Sequence, residues 1–165
     1  MIAEFKFADK SKLDLLLPEL FQILHSNMSK IALTNNPYQY DYELWYSQIH
    51  PAMQKEQRQI VLMYVDNKLS GYFQYYINNE NASLMMEEIQ LKKEYHGTGL
   101  FSAFYRWFVK LLPNNIAYVE AYANKKNYKS QSVLEYLGLV KMGENQNGNY
   151  FYYKGKYVDL LNRYS

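Results

Sequence analysis

The feature of this sequence that most restricts its fold is the run His96-Gly97-Thr98-Gly99-Leu100, hereafter the glycine loop. Residues 84–91 before it are largely apolar and predict a strand. After it, apolar side chains recur at helical spacing as far as Leu112 and predict an amphipathic helix. Residues 116–121 predict the next strand, and a strand–helix–strand order predicts one parallel pair in the sheet. The apolar stripe of the helix consists of Phe101, Phe104, Tyr105, Phe108, Leu111 and Leu112.

The position of the glycine loop at a predicted helix N-terminus indicates an anion site. The first N–H groups of a helix have no partner within it, and the helix dipole adds about half a positive charge. Glycine lets phosphate oxygens approach the backbone. The loop is neither a Walker loop nor a complete Rossmann motif. An ordinary tight turn between strand and helix is the alternative interpretation of Gly-x-Gly.

The remaining segments predict a mostly antiparallel sheet within one domain, residues 1–165. Ser11 and Asp14 resemble a capping box that opens the first helix, and the second helix is predicted to end before Pro51. Gly138 suits a left-handed helix cap. The predicted strands are residues 2–7, 59–65, 69–77, 139–142, 150–154 and an edge strand at 157–161; the predicted helices are a first through Leu24, then 41–49 and 130–137, and turns are predicted at Asp66-Asn67 and Asn147-Gly148.

Composition narrows the classes of function. Hydrophobic residues make up 48% and charged residues 21%, a balance typical of a globular protein. The absence of Cys excludes disulfides, thiolate metal sites and a cysteine nucleophile, and the three His show no metal-ligand spacing, so we expect no metal site. A net charge of +2 argues against nucleic acid as a partner, including single-stranded RNA bound by Tyr and Lys. No apolar run is long enough to span a membrane and the start resembles no signal peptide, so we expect a cytoplasmic protein with no membrane partner.

Two separated segments resemble the GNAT (GCN5-related N-acetyltransferase) family. The first, Leu91-Lys-Lys-Glu-Tyr-His96-Gly97-Thr98-Gly99-Leu100, is similar to the family's Q/R-x-x-G-x-G/A stretch at the end of a strand. The second, from Asn127 to Leu139, is similar to its N-x-x-A-x-x-L-Y-E-x-L-G-F helix. One helix and one strand separate the two segments, as in the family. The resemblance implies a GNAT-like α/β (α+β) fold, with six to seven strands flanked by about four helices.

The resemblance also implies acetyl-CoA as cosubstrate, with the glycine loop on its diphosphate and the backbone near Leu91 on its pantetheine arm. Lys92 and Lys93 form one cluster, and Lys125, Lys126 and Lys129 form a second. The two clusters suit either a solvated face or two rims around an anionic ligand. The residues implied in cofactor binding are Leu91, Lys93, His96, Gly97, Thr98, Gly99, Leu100, Phe101, Asn127 and Ser130. For Asn127 the alternative is a cap on the following helix.

The sequence departs from the family at several of these positions. His96 replaces Arg or Gln, and Lys93 replaces a common Pro. Phe101 replaces a small residue, and its ring fits the packed stripe of the predicted helix. Leu134 stands where many members have a Tyr that protonates the departing thiolate, so that role is not transferred. Tyr136, about 200° further around the helix, is a poor substitute.

The implied reaction is direct acyl transfer to a primary amine, on a small molecule or a peptide, with a glutamate or a glutamate-bound water as base. Deprotonating an alkylammonium at pH 7 costs about 4.6 kcal/mol, which a carboxylate base would offset. The candidates are Glu87, Glu88 and Glu120. Because neighbouring strand residues face opposite ways, only one of Glu87 and Glu88 enters a given cavity. Glu88 is favoured, since Glu87 shares its face with the apolar set Met85, Ile89 and Leu91.

Substrate recognition is expected from residues 31–49, with help from the last hairpin. Their rings, Tyr38, Tyr40, Tyr42, Trp45 and Tyr46, suit either cation–π contact with an ammonium or ordinary packing. A non-catalytic acyl-CoA-binding or regulatory domain of the same fold is the alternative function, supported by Leu134 and Phe101. Residues 150–157 are expected as an exposed edge through which a homodimer could form.

Overall fold

The computed structural model describes residues 1–55 and 57–165, and its main element is a seven-stranded sheet in the order β1-β2-β3-β4-β5-β7-β6. β4 and β5 are parallel, whereas β1–β2, β5–β7 and β6–β7 are antiparallel. The mostly antiparallel sheet with one parallel pair is therefore confirmed. Five α-helices accompany it in the described part of the chain, one more than expected. None of these helices is both long and apolar enough to cross a membrane. The strands are β1 (Ala3–Phe7), β2 (Arg58–Val65), β3 (Lys68–Asn78), β4 (Ser83–Leu91), β5 (Tyr118–Asn124), β6 (Val140–Glu144) and β7 (Tyr150–Lys156); the helices are α1 (Leu13–Met28), α2 (Tyr38–Met53), α3 (Leu100–Phe108), α4 (Tyr128–Tyr136) and α5 (Tyr157–Tyr164).

The chain forms two compact units, the first made of residues 1–74 and 88–100 and the second of residues 75–87 and 101–165. In the first unit, α1 and α2 bury apolar side chains with β2 and β3. The buried cluster contains Leu17, Leu20, Ile49, Met53 and Tyr72, each at most 4% exposed. In the second unit, Phe104, Tyr105 and Phe108 of α3 are fully buried, and the Phe108 ring lies 4.8 Å from that of Tyr75.

Two predicted turns take the expected backbone. Asp66 and Asn67 both have positive φ, +50° and +66°, as a two-residue hairpin between β2 and β3 requires. Gly138 has φ +96° and ends α4, which confirms the left-handed cap. These conformations depend on neighbouring residues alone, so the sequence pattern predicts them directly.

Three predicted helix boundaries are wrong. Asp9 caps the start of this segment, because its carboxylate accepts hydrogen bonds from the backbone N–H and the hydroxyl of Ser11. A 3-10 turn then leads into α1. Ser11 therefore donates to a cap and is not the cap. α2 continues past Pro51 because Met53, one turn after Ile49, is buried on the same face. α3 ends at Phe108, where a tighter turn begins and leaves Leu111 half exposed.

The C-terminal segment also differs from the prediction. Residues 157–161 belong to helix α5 and not to an edge strand, because Tyr157, Leu160 and Tyr164 recur at helical spacing and are all buried. β7 lies between β5 and β6. Residues 150–156 therefore have a strand on each side, and the expectation of an exposed edge there is wrong.

Candidate active site

The glycine loop connects the end of β4 to the start of α3. A 3-10 turn, Lys93–Tyr95, precedes it, and Leu100 is the first residue of α3. Gly97 and Gly99 have φ of +74° and +88°, a region that costs other residues about 1–2 kcal/mol. A Cβ atom added to either glycine would meet no atom within 4 Å. The two glycines are thus needed for the backbone conformation, and the space beside them is open.

The amides of the glycine loop are only partly available to a ligand. The N–H of His96 donates to the Lys93 carbonyl at 3.1 Å, and that of Thr98 donates to the Tyr95 carbonyl at 3.4 Å. These two amides are therefore not available to a ligand, because the 3-10 turn extends hydrogen bonding into the loop. Among the described residues, no backbone acceptor is in hydrogen-bonding geometry with the N–H of Gly97, Gly99 or Leu100. These three amides at a helix N-terminus remain suited to an anion.

The Leu91 carbonyl oxygen, at the end of β4, is occupied by protein donors. The His96 imidazole Nε2 lies 2.9 Å from it, and the Asn27 side-chain amide donates to it at 2.8 Å. A carbonyl oxygen has two lone pairs, so two donors saturate it. His96 therefore holds the glycine loop against β4. The Leu91 carbonyl oxygen has no lone pair left to accept a hydrogen bond from a pantetheine arm.

A buried polar group on β4 was not predicted from the sequence. The Gln90 side chain is 9% exposed; its Nε2 donates to the Glu88 carboxylate and its Oε1 accepts from Asn27 Nδ2 at 2.9 Å. Glu88 also acts on Tyr72, which is fully buried: burial first, and then the negative charge of Glu88, raise the pKa of the Tyr72 hydroxyl well above its usual value. The sequence signal for it is the pair of polar residues at alternate positions, Glu88 and Gln90, on a face of β4 that otherwise carries Leu84 and Met86.

The sequence favours Glu88 because Glu87 shares its face with apolar residues, but burial along β4 does not follow that pattern. Leu84, Met86 and Gln90, on the face of Glu88, are buried, whereas Glu87 and Ile89 on the opposite face are only half-buried. The apolar set beside Glu87 is thus not the more buried one. Glu88 stays the favoured candidate for a different reason, because it belongs to a part-buried polar network that continues to Leu91 and His96.

The third candidate base, Glu120, lies on β5 in the second unit. The hydroxyl of Tyr152 on β7 donates to its carboxylate. Burial, and then this hydrogen bond, raise the pKa of Tyr152. Glu120 is therefore paired with a neutral phenol. In the described chain, no group of three or more His, Asp and Glu is placed to hold a metal ion.

Asn127 and Ser130 form the cap of α4. The Asn127 side-chain oxygen accepts from the Ser130 backbone N–H at 3.0 Å, so the capping alternative is confirmed. In the same helix, Leu134 is 7% exposed and packs as an apolar side chain. Tyr136 is 58% exposed, with the Arg163 guanidinium 4.2 Å from its ring centre. Leu134 therefore has no hydroxyl to serve as an acid, and the phenol ring of Tyr136 is exposed and lies against Arg163.

The lysines differ in how they are engaged. Lys125 pairs with Glu144 at 2.6 Å, and Lys92 lies 3.9 Å from Glu19. Lys93 and Lys30 are close enough that Lys30, by hydrogen bonding and by charge repulsion, lowers the pKa of Lys93. Lys30 was not predicted; it follows α1 by two residues and brings a second positive charge to Lys93.

The aromatic side chains of Phe101 and of α2 pack against other rings, which was one of the two interpretations open for them. The Phe101 ring lies 4.7 Å from that of Tyr105, so it packs along α3 as predicted. On α2, Tyr38, Tyr42 and Trp45 each pack against Phe21 of α1 at 5.2–5.4 Å. Tyr46 stacks on His50 and donates to Asp14, whereas Tyr40 is exposed. Most of this aromatic group is packing between α1 and α2.

Comparison with known proteins gives similarity in structure but not in sequence. No family model and no curated protein matches the chain. An acetyltransferase from Thermus thermophilus has a TM-score of 0.73 at 13% identity, covering 94% of this chain and 97% of that one. The PaiA N-acetyltransferase from Thermoplasma acidophilum, in complex with coenzyme A, has a TM-score of 0.73 at 16% identity, covering 95% and 100%. The aminoglycoside acetyltransferase AAC(6')-Ib, also in complex with coenzyme A, has a TM-score of 0.68 at 14% identity, covering 99% and 100%. The chain therefore has the fold of the GNAT acetyltransferases.

Proposed function

We propose that this protein is an N-acetyltransferase that moves the acetyl group of acetyl-CoA to a primary amine. The observation that carries the proposal is the glycine loop. At the start of α3, three amides have no backbone acceptor among the described residues, and two left-handed glycines have open space beside them. Two of the similar structures are complexes with coenzyme A. A diphosphate on those amides would satisfy helix-terminal N–H groups and meet the positive end of the helix dipole.

In this proposal Glu88 is the base, acting on the ammonium directly or through a water. Transfer is direct: Glu88 takes one proton from the ammonium, and the neutral amine nitrogen then forms a bond to the acetyl carbon. The thioester C–S bond breaks, and CoA leaves as a thiolate that takes up the second proton the nitrogen gives up on becoming an amide. Lys93, with Lys30 beside it, supplies positive charge to the phosphates of the cofactor. The amine is a small molecule or a peptide N-terminus, and aminoglycosides, on which one similar enzyme acts, are among the candidates.

A non-catalytic acyl-CoA-binding domain is the second candidate. The observation that favours it is the buried Leu134, because an apolar side chain there cannot protonate the departing thiolate. It predicts the same affinity for coenzyme A, without turnover of any amine.

Thermal unfolding in the presence of acetyl-CoA, CoA or dephospho-CoA tests the binding half of the proposal. A ligand at 100 times its Kd should stabilise the protein by about 2.7 kcal/mol. Thiol release is then followed with a polyamine, an aminoglycoside, free amino acids and a peptide with a free N-terminus. Stabilisation with thiol release supports the enzyme, and stabilisation without it supports the binding domain. No stabilisation by any coenzyme A species would contradict both.

A further inference from the structure

A chain of side-chain amides leads from helix α1 to the proposed base. Asn27 Nδ2 donates to Gln90 Oε1 at 2.9 Å, and Gln90 Nε2 donates to the Glu88 carboxylate. We propose that Gln90 is a positioning residue, whose amide, oriented by Asn27, holds the Glu88 carboxylate where it accepts the proton of the amine. This inference rests on the proposed function, because it needs Glu88 to be the base.

The orientation of both amides follows from their partners. Asn27 Nδ2 carries two hydrogens, and it donates to two acceptors, Gln90 Oε1 and the Leu91 carbonyl oxygen at 2.8 Å. A rotated Asn27 amide would place its oxygen against two acceptors. Asn27 is therefore held in one orientation, and it in turn holds the oxygen of Gln90 on its own side. The Gln90 NH₂ group must then point to Glu88.

Because the Gln90 side chain is buried, turning its amide away from these partners would cost free energy. Gln90 is 9% exposed, so a turned amide would lose its hydrogen bonds without compensation from water. A glutamate side chain has several rotatable bonds, and an oriented donor reduces the conformations that the carboxylate samples. A general base must lie within hydrogen-bond reach of the proton it takes. Gln90 provides that restraint without itself touching the substrate or the reacting atoms.

The network also contacts the loop that we propose for the cofactor. The Leu91 carbonyl that accepts from Asn27 also meets His96 Nε2 at 2.9 Å. Asn27 is therefore connected to Glu88 through Gln90 and to the glycine loop through Leu91 and His96. All of these residues belong to the first unit.

The test is a double-mutant cycle in the full chain, with acetyl-CoA and the amine that is turned over fastest in the panel above. Gln90→Met keeps the side-chain length and removes the amide; we expect kcat to fall about ten- to a hundredfold with the KM for acetyl-CoA unchanged. In the Glu88→Gln background, Gln90→Met should lower kcat no further. Asn27→Asp cannot donate to Gln90, so it should lower kcat in the wild type and lower it less beside Gln90→Met, where only the hydrogen bond of Asn27 to the Leu91 carbonyl is left to lose.

Ser70→Ala is the matched control. Ser70 is a fully buried polar residue of β3 whose hydroxyl donates to the Lys68 carbonyl and to none of the three network side chains. It should leave kcat unchanged. A Gln90→Met variant with wild-type kcat, or with the same loss in the Glu88→Gln background, would overturn the positioning role.

Two outcomes separate this inference from the proposed function. If Glu88→Gln lowers kcat and Gln90→Met does not, only the inference fails. If Glu88→Gln leaves kcat unchanged, the assignment of the base fails and the inference with it. If no amine is acetylated, nitrogen NMR of the Gln90 side-chain amide replaces kinetics: its resonance should move on Glu88→Gln and on Asn27→Asp but not on Ser70→Ala, and an unmoved resonance overturns the network.

Discussion

Gly97 and Gly148 are two glycines with nearly the same backbone and different surroundings. Their φ angles are +74° and +75°. An added Cβ at Gly97 meets no atom within 4 Å, and one at Gly148 meets only the Glu144 carboxylate at an ordinary 3.7 Å. Neither position is crowded, so alanine costs backbone strain at both. Only Gly97 lies in the proposed phosphate site, so the pair separates strain from ligand binding.

We therefore expect Gly97→Ala and Gly148→Ala to lower the free energy of unfolding equally, by about 1–2 kcal/mol. Gly97→Ala should also raise the Kd for CoA by about tenfold or more, because the added Cβ would keep a phosphate away from a loop amide. The charge-assisted hydrogen bond of that amide contributes about 1.5–3 kcal/mol. Urea unfolding and calorimetric titration with CoA measure the two effects. Equal CoA affinities for the two variants would contradict the assignment of the loop.

At the scale of elements, β4 lies close against β3 at Gly71. A Cβ atom on Gly71 would lie 2.5 Å from the Gln90 carbonyl oxygen and 2.7 Å from Leu91 Cδ2. The Ser70 carbonyl accepts from the Lys92 N–H at 2.8 Å beside it, so the end of β4 is held against β3. The close approach thus places Gln90 and Leu91, which carry the polar network, directly against a residue without a side chain.

Gly71→Ala should lower the free energy of unfolding by about 1–3 kcal/mol, because the methyl group overpacks a backbone that cannot move aside. The matched control is Gly143→Ala on β6, where an added Cβ meets no atom within 4 Å and the change should be small. Urea unfolding of the two variants measures the difference. Equal stabilities would show that β4 can shift away from β3 at little cost.

At the scale of the whole molecule, the chain contains 19 tyrosines and buries many of them. Burial raises the pKa of Tyr75 to about 12 and also raises the pKa of Tyr105, Tyr153 and Tyr157 above the usual value. A phenol whose pKa is higher in the folded than in the unfolded state stabilises the fold fully below pH 10. That contribution is lost as the pH rises through the folded pKa.

The free energy of unfolding should therefore fall between pH 10 and about 12. The tyrosinate absorbance of the buried rings should appear together with unfolding, after that of the exposed tyrosines. Tyr153→Phe tests the cause, because the Tyr153 hydroxyl is buried without a hydrogen-bond partner among the described residues. The variant should match or exceed wild-type stability at neutral pH and lose less of it at alkaline pH. A variant with the same alkaline loss as the wild type would show that other groups cause it.

Local chemistry explains which elements were predictable. The Asp66-Asn67 hairpin, the Gly138 cap and the strand–glycine loop–α3 segment each depend on residues close in sequence, and each was predicted. Helix α5 had the same kind of local signal, since Tyr157, Leu160 and Tyr164 share a helical face, but strand-favouring Tyr and Val outweighed it. Pro51 predicts the end of α2, but the burial of Met53 two residues later extends the helix past it.

By itself, the sequence determined the order of strands and helices as far as β7, the left-handed cap at Gly138 and the helix start that suits a phosphate, because these follow from neighbouring residues. Only the tertiary structure decided what surrounds the candidate base. Asn27 and Gln90 are 63 residues apart, and neither segment has a sequence pattern that predicts their hydrogen bond. Their contact exists because α1 packs its apolar face with the sheet and brings Asn27 to the end of β4, where its amide meets Gln90 and the Leu91 carbonyl.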